Sequence, residues 1–296
     1  MSENDTLKYR VDDGIAFITI NRPEKLNAFT PKMARDFIGL LDRTDADDDV
    51  KAIIVTGEAR AFCAGADLEG GSDTFADISG ENAVVNEDGS LNYAAESIRD
   101  IGGLVTLRIF RSLKPIIAAI NGAAVGVGVT MTLPMDIRLG TDKTRAGFVF
   151  ARRAIVPEAA SSYFLPRIVG ISRALEWSYS GRLVPAQELK EGGLLREIYA
   201  EDELIPAAVA IARELIDNCA PVSIALIRQM LWQGLNMQHP MEAHRLDSRA
   251  VAWRGRSNDA REGIDSFLEK RPPRFTDKVS KDMPDFFPWV DEPPYQ

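Results

Sequence analysis

The chain has 296 residues, 45% apolar and 27% charged, with a net charge of −9, which is an ordinary globular composition with enough length for a full core. The acidic balance excludes a nucleic-acid backbone as the main partner, because phosphate recognition needs a basic face. Two cysteines (Cys63 and Cys219) and two histidines (His239 and His244) are too few and too scattered for a disulfide framework or a metal centre, so no metal is expected. Met1 to Arg10 is polar and has no apolar signal-peptide core, which makes a cytoplasmic location the expectation.

In chain order, Ile15–Ile20 is a β-branched run closed by the turn signal Asn21-Arg22-Pro23. Pro31 to Leu41 has helical spacing behind the cap pair Thr30-Pro31, and Asp42 to Asp49 reads as an acidic loop. Ala52 to Thr56 is a second buried strand. The small residues of Ala61 to Asp67 let the backbone approach a neighbour closely. Gly70 to Glu96 is polar and aperiodic, the signature of a lid or binding loop. Ser97 to Ser112 returns to helical spacing, and Ile116–Ile120 is a third strand.

Pro115 to Met135 runs 21 residues without a charge. That length would span a bilayer, but its prolines, glycines and Asn121 predict a buried strand, a break at Asn121-Gly122 and a buried helix. Further on, Val156-Pro157-Glu158 places a carboxylate at the mouth of another helix. From Ser172 to Leu268 the pattern is mostly helical, with segments at Ser172–Ser180, Pro185–Glu191, Ile205–Asn218, Pro221–Leu235, Glu242–Trp253 and Ala260–Leu268. The tail from Arg271 onward, rich in proline and aromatics, cannot form a core alone and is expected to lie across this subunit or a neighbour. Strands alternating with helices indicate an α/β architecture.

Several motifs recur in a fixed order: Asn21-Arg22-Pro23 with Asn27-Ala28, Phe62 to Leu68, Ile120-Asn121-Gly122 through Gly128, Asp136-Ile137-Arg138, Leu165 to Gly170, Glu262-Gly263-Ile264 and Phe267 to Arg271. Together they resemble the crotonase (enoyl-CoA hydratase/isomerase) superfamily from about Tyr9 to about Phe275. The resemblance implies an α/β fold with a crotonase-like ββα spiral core and a helical C-terminal trimerisation region. The corresponding division is 1–204 for the core with its acyl-CoA site, 205–275 for the helical region and 276–296 for the tail. It also implies an acyl-CoA thioester substrate, no cofactor beyond the coenzyme A of the substrate, and a homotrimer or dimer of trimers.

By the same resemblance, the backbone N–H groups of Ala66 and Val127 form an oxyanion hole. Coenzyme A or acyl contacts fall on Lys25, Leu26, Ala28, Ala64, Asp67, Leu68, Gly128, Phe150, Phe267 and Lys270. Arg60 is a further candidate for the phosphates. Preorganised N–H donors stabilise charge developing on a thioester oxygen, and losing one costs roughly 3 kcal/mol. Because the donors are main chain, Val127 can serve where glycine is usual, provided that its φ is ordinary.

The two glutamates of a family hydratase would align with Thr130 and Phe150, neither of which can activate water. Glu158 remains, in a Pro-Glu-Ala-Ala-Ser-Ser setting (Pro157 to Ser162) similar to the isomerase branch of the family. A Δ3–Δ2 double-bond shift needs only one base to carry a proton from C2 to C4. The bland reading is that Glu158 complements the dipole in the first turn of a helix, which would lower its pKa. The functional alternatives are hydration through a non-standard acid and a non-catalytic acyl-CoA-binding homologue. Asp67 and Asp136 are expected to be structural acids, and Arg152 or Arg153 to pair with an acid.

Overall fold

The computed structural model describes residues 6–71, 86, 88–93, 95 and 98–295, so most of the polar 70–96 stretch and its reading as a lid lie outside the described residues. The chain winds in successive turns of two strands and a helix. These are β1 (Leu7–Asp12), β2 (Ile15–Ile20) and α1 (Pro31–Ala46); β3 (Ala52–Gly57), β4 (Ala61–Cys63) and α2 (Ile101–Phe110); β5 (Ile116–Ile120), β6 (Ala123–Val125) and α3 (Val127–Thr130); β7 (Ile137–Thr141), β8 (Arg145–Gly147) and α4 (Ser161–Val169). From the second turn on, the first strand joins a six-stranded sheet ordered β1-β2-β3-β5-β7-β10, and the second joins a sheet ordered β4-β6-β8-β9. This is the ββα spiral that the sequence led us to expect. It continues through α5 (Ile171–Ser180), β9 (Leu183–Pro185), α6 (Ala186–Glu191), β10 (Glu197–Tyr199), α7 (Leu204–Ile216), α8 (Pro221–Gly234), α9 (Pro240–Arg254) and α10 (Asn258–Glu269).

Strands β2, β3, β5 and β7 run parallel, with Phe17 opposite Ile54 and Ile54 opposite Ile117. Their side chains alternate between two cores, which explains their continuous apolar runs. Ile18, Val55 and Ala118 face α1, α2 and the second sheet. Phe17, Ile54 and Ala119 face Ala208, Ile211 and Ala212 of α7. So α7, within the stretch assigned to the helical region, covers one face of the main sheet.

Three boundaries differ from the sequence expectation. Helix α1 runs on through the supposed acidic loop to Ala46, because Asp42 and Asp45 each take a 2.7 Å ion pair from Arg108 on α2. Helix α2 starts at Ile101 because the Asp100 carboxylate caps Gly102 N at 2.9 Å and Gly103 N at 3.0 Å. Helix α3 has only four residues. The turns after it are held by the Arg138 guanidinium, which donates to the carbonyls of Thr132, Leu133 and Met135. No helix among the described residues is long and apolar enough to cross a membrane.

The C-terminal tail lies across its own subunit. Val279 is buried against Val222, Ala225 and Leu226 of α8, with Met283, Phe287 and Trp289 packed around them. Ser280 donates from its amide (3.1 Å) and hydroxyl (2.6 Å) to Asp48.

Candidate active site

The site is built where β4 and β6, parallel neighbours, run out into loops. The segment 26–29 runs beside the loop after β4: Ala64 N donates to Leu26 O (3.0 Å), Phe29 N to Gly65 O (2.7 Å) and Asp67 N to Phe29 O (2.9 Å). Leu26 and Asn27 hold left-handed backbone, φ 51 and 60, which asparagine tolerates well. The fully buried Asn27 side chain accepts from Arg22 N (2.8 Å) and donates to Glu58 O (2.9 Å) and Ala61 O (2.7 Å). Arg22 in turn donates to Ala28 O (2.7 Å) and to Asp67 (2.8 Å). The Asn-Arg-Pro motif with Asn27-Ala28 is therefore a scaffold for the Ala66 loop. Burial pushes the Asp67 carboxyl up, but the Arg22 guanidinium and the Glu69 amide outweigh it and hold it below its ordinary range.

After β6, Gly126 takes φ 50 and ψ −127, a conformation closed to L side chains, and turns the chain into α3. At Gly128 a Cβ would stand 2.1 Å from Cys63 O, so the start of α3 sits directly on the end of β4. Val127, between them, is the first residue of α3 and has no positive φ. Among the described residues, neither Ala66 N nor Val127 N donates to a protein acceptor.

Glu158 does not stand in the first turn of a helix. It precedes α4, whose N-cap is Ala160, and its carbonyl accepts from Ser161 N at 2.9 Å. Ala159 and Ala160 follow with φ 54 and 51. Two successive left-handed alanines store strain of the kind that clusters at functional sites. The half-buried Glu158 carboxyl receives the Thr130 hydroxyl on Oε1 at 2.7 Å. Its Oε2 lies 2.9 Å from where a Cβ on Gly102 would be, and Val127 Cγ2 lies 3.1 Å from that same point. The acid, the valine and the α2 backbone therefore meet at one place. Burial pushes the Glu158 carboxyl up to about 7; the Thr130 hydroxyl pulls it down and the Asp100 charge adds to the rise. Asp100 also accepts from Ala159 N, so it ties the strained peptide to the start of α2. Burial pushes the neighbouring Cys63 thiol up to about 12, which makes it an inert packed group.

The remaining sequence candidates are distributed as follows. Ala64 and Leu26 adjoin the Ala66 loop, as above. Leu68 is 52% exposed just beyond it, and Lys25 is ion-paired with Glu69 at the surface. Phe150 is buried, its ring tilted against Phe148. Phe267, 81% exposed, and Lys270 stand at the end of α10, which meets Phe275 through Gly263. Within this chain nothing described brings them to Glu158. Arg152 caps a carbonyl, Ser180 O at 2.7 Å, instead of pairing with an acid. Asp136 is structural, accepting from Ile116 N (2.7 Å), Arg228 (3.0 Å) and Trp232 (3.2 Å). Sequence reasoning missed Asp100, Gly102 and the donor role of Thr130. The string Asp100-Ile101-Gly102-Gly103 carried the one available signal, an N-cap acid before small residues.

A ββα spiral whose strands feed two sheets, continued by a run of C-terminal helices, defines a crotonase-class protein. The comparisons agree: the profile of the Enoyl-CoA hydratase/isomerase family matches residues 10–278, and the chain belongs to that family. It is similar to an enoyl-CoA hydratase of Alternaria alternata, 41% identical over 94% of this chain and 90% of the relative. It is also similar to the 1,2-epoxyphenylacetyl-CoA isomerase of Escherichia coli, 29% identical over 90% of this chain and 97% of the relative. A crystal structure of an enoyl-CoA hydratase from Bacillus anthracis superposes with a TM-score of 0.78 at 26% identity, covering 92% of this chain and 99% of that one.

Proposed function

We propose that the protein is a Δ3–Δ2-type enoyl-CoA isomerase in which Glu158 is the only proton carrier. The observation that supports this reading is the carboxyl of Glu158, pushed up to about 7 and meeting the Val127 side chain at the start of α3. A base whose pKa lies near the working pH combines a useful ionised fraction with a real driving force for proton transfer. The thioester oxygen would sit between Ala66 N and Val127 N, so that abstraction from C2 gives a dienolate whose charge those amides hold. Glu158, now protonated, returns the proton to C4. Thr130 fixes Oε1, which leaves Oε2, beside Gly102, as the oxygen to take up the proton. No second acid is needed, in keeping with Thr130 and Phe150 at the positions where a hydratase would carry its pair. Lys25 and the exposed Leu68 border the route for the coenzyme A moiety, and a homotrimer would bring a second copy's Phe267 and Lys270 into reach.

One observation favours a second reading. The Alternaria relative at 41% identity is named a hydratase, and hydration with Glu158 acting alone on water is the corresponding alternative. Assaying 3-enoyl-CoA for conversion to 2-enoyl-CoA, and 2-enoyl-CoA for water addition, decides between them. The isomerase reading expects turnover of the first substrate, lost in Glu158→Gln. Water addition without isomerisation replaces it with the second reading. Unchanged isomerisation in Glu158→Gln overturns the role of Glu158 altogether.

A further inference from the structure

A polar cavity of about 330 Å³ opens under the C-terminal strap between Pro273 and Val279. It lies at the N-terminal ends of β3 and β5, where Lys51 and Lys114 precede the strands. It shares no residue with the Glu158 site, whose amides follow the opposite, C-terminal ends of β4 and β6.

The charges around this cavity do not cancel locally. Of its four acids, Asp217 is paired with Arg213 at 3.1 Å and Asp277 with Arg254 at 2.9 Å, while Asp48, held by the Ser280 amide and hydroxyl, keeps its charge beside Lys114 and Lys278. Only Asp49 is left without a cationic or hydroxyl partner. Among the described residues, Lys51, Lys114, Arg274 and Lys278 all line the cavity and none of them makes an ion pair. Lys114 is the telling member. Its residue is 3% exposed, yet its ammonium, with three protons to donate, makes one hydrogen bond, a 3.3 Å contact to Asp47 O. A buried charge left so poorly matched is costly, and burial pushes the Lys114 pKa down despite the nearby Asp45, Asp48 and Asp47. Helix α8 adds to the same field: Pro221, its first residue, lines the cavity, and its N-cap Ala220 offers no side-chain acceptor.

The geometry points to a second ligand site here, for a small organic molecule carrying a doubly charged anionic group, a phosphate monoester or a dicarboxylate. The dianion would lie between Lys114, Lys51 and the strap cations Arg274 and Lys278. The organic part would meet Ile216, Pro273 and Phe275, and the volume leaves room for it. Since the strap forms one wall, occupancy would also tie Arg274 and Lys278 to the strand ends.

The test is thermal unfolding of the full chain in a zwitterionic buffer at fixed ionic strength. Inorganic phosphate, glycerol 3-phosphate and succinate are titrated separately, with chloride as control. The expected result is a saturable rise in melting temperature with at least one dianion and none with chloride. Apparent affinity should fall at least tenfold in the Arg274→Gln/Lys278→Gln double variant, which alters exposed side chains only. Lys114→Met gives the same loss if it folds. A response to the phosphates alone, or to succinate alone, identifies the head group. No saturable response to any dianion, or an unchanged one in the double variant, overturns the proposal.

Discussion

The Thr130 hydroxyl donates to Glu158 Oε1 at 2.7 Å, across 28 residues of chain. This bond stabilises the ionised acid and opposes the burial that raises it. Thr130→Val keeps the shape and removes the donor. The activity midpoint then moves above 7, and kcat/KM at pH 7 falls roughly tenfold, since a hydrogen bond to a charged group is worth about 1.5–3 kcal/mol. The loss shrinks as pH rises. A pH profile of kcat/KM for both proteins checks this, and a uniform loss at every pH would contradict it.

Asp100 acts on the same acid from the other side. Its charge raises Glu158, and its oxygens hold the amides of Gly102, Gly103 and Ala159. Asn at this position removes the charge and leaves one carbonyl oxygen for three amides. The midpoint of the Asp100→Asn profile should move below 7, while kcat falls about tenfold with KM little changed, because the Glu158–Ala159 peptide is no longer anchored. An unmoved midpoint would reduce Asp100 to a helix cap.

Gly102→Ala separates stability from activity. A helical Gly→Ala change favours the folded chain by up to about 1 kcal/mol, but the new Cβ would press Glu158 Oε2 at 2.9 Å and Val127 Cγ2 at 3.1 Å. The expected outcome is an unchanged or raised melting temperature with turnover reduced about a hundredfold. Parallel melting and steady-state measurements test it.

The raised carboxyl also ties stability to pH. A folded value of about 7 against an ordinary 4.5 means that Glu158 favours the folded state fully below pH 4.5. That contribution disappears as pH climbs through 7, a swing of about 3 kcal/mol. Glu158→Gln mimics the neutral acid at every pH. Its stability advantage over the parent should be absent below pH 4.5, grow between 4.5 and 7, and level off above. Denaturant titrations at several pH values give this difference directly, and a constant offset would exclude it.

How far the sequence could be read follows from where each residue gets its environment. Ile116–Ile120 was legible to the residue because both of its faces are buried, leaving an uninterrupted apolar run between Pro115 and Asn121. The three-residue strands β4, β6, β8, β9 and β10 are too short to carry a period. The acids Asp42 and Asp45 looked like loop residues because their partner, Arg108, lies over sixty residues away. Glu158 could be picked out from its setting, but the dipole argument against it assumed a helix that begins later, after two left-handed alanines. Asp100 and the donor role of Thr130 escaped notice for a related reason: each gains its importance only when α2, α3 and the 158–160 turn are folded together.

Arg228, on α8, reaches back to the carbonyls of Ile109, Phe110, Ser112 and Pro134 while pairing with Asp136. Four oxygens at the tail end of α2 and in the turn before β7 thus depend on a guanidinium that arrives ninety or more residues later. Without α8, those four carbonyls and the Asp136 carboxylate would lose the partner that they share. The helical extension is thus fastened into the spiral, with one guanidinium joining the last turn of α2 to the approach to β7.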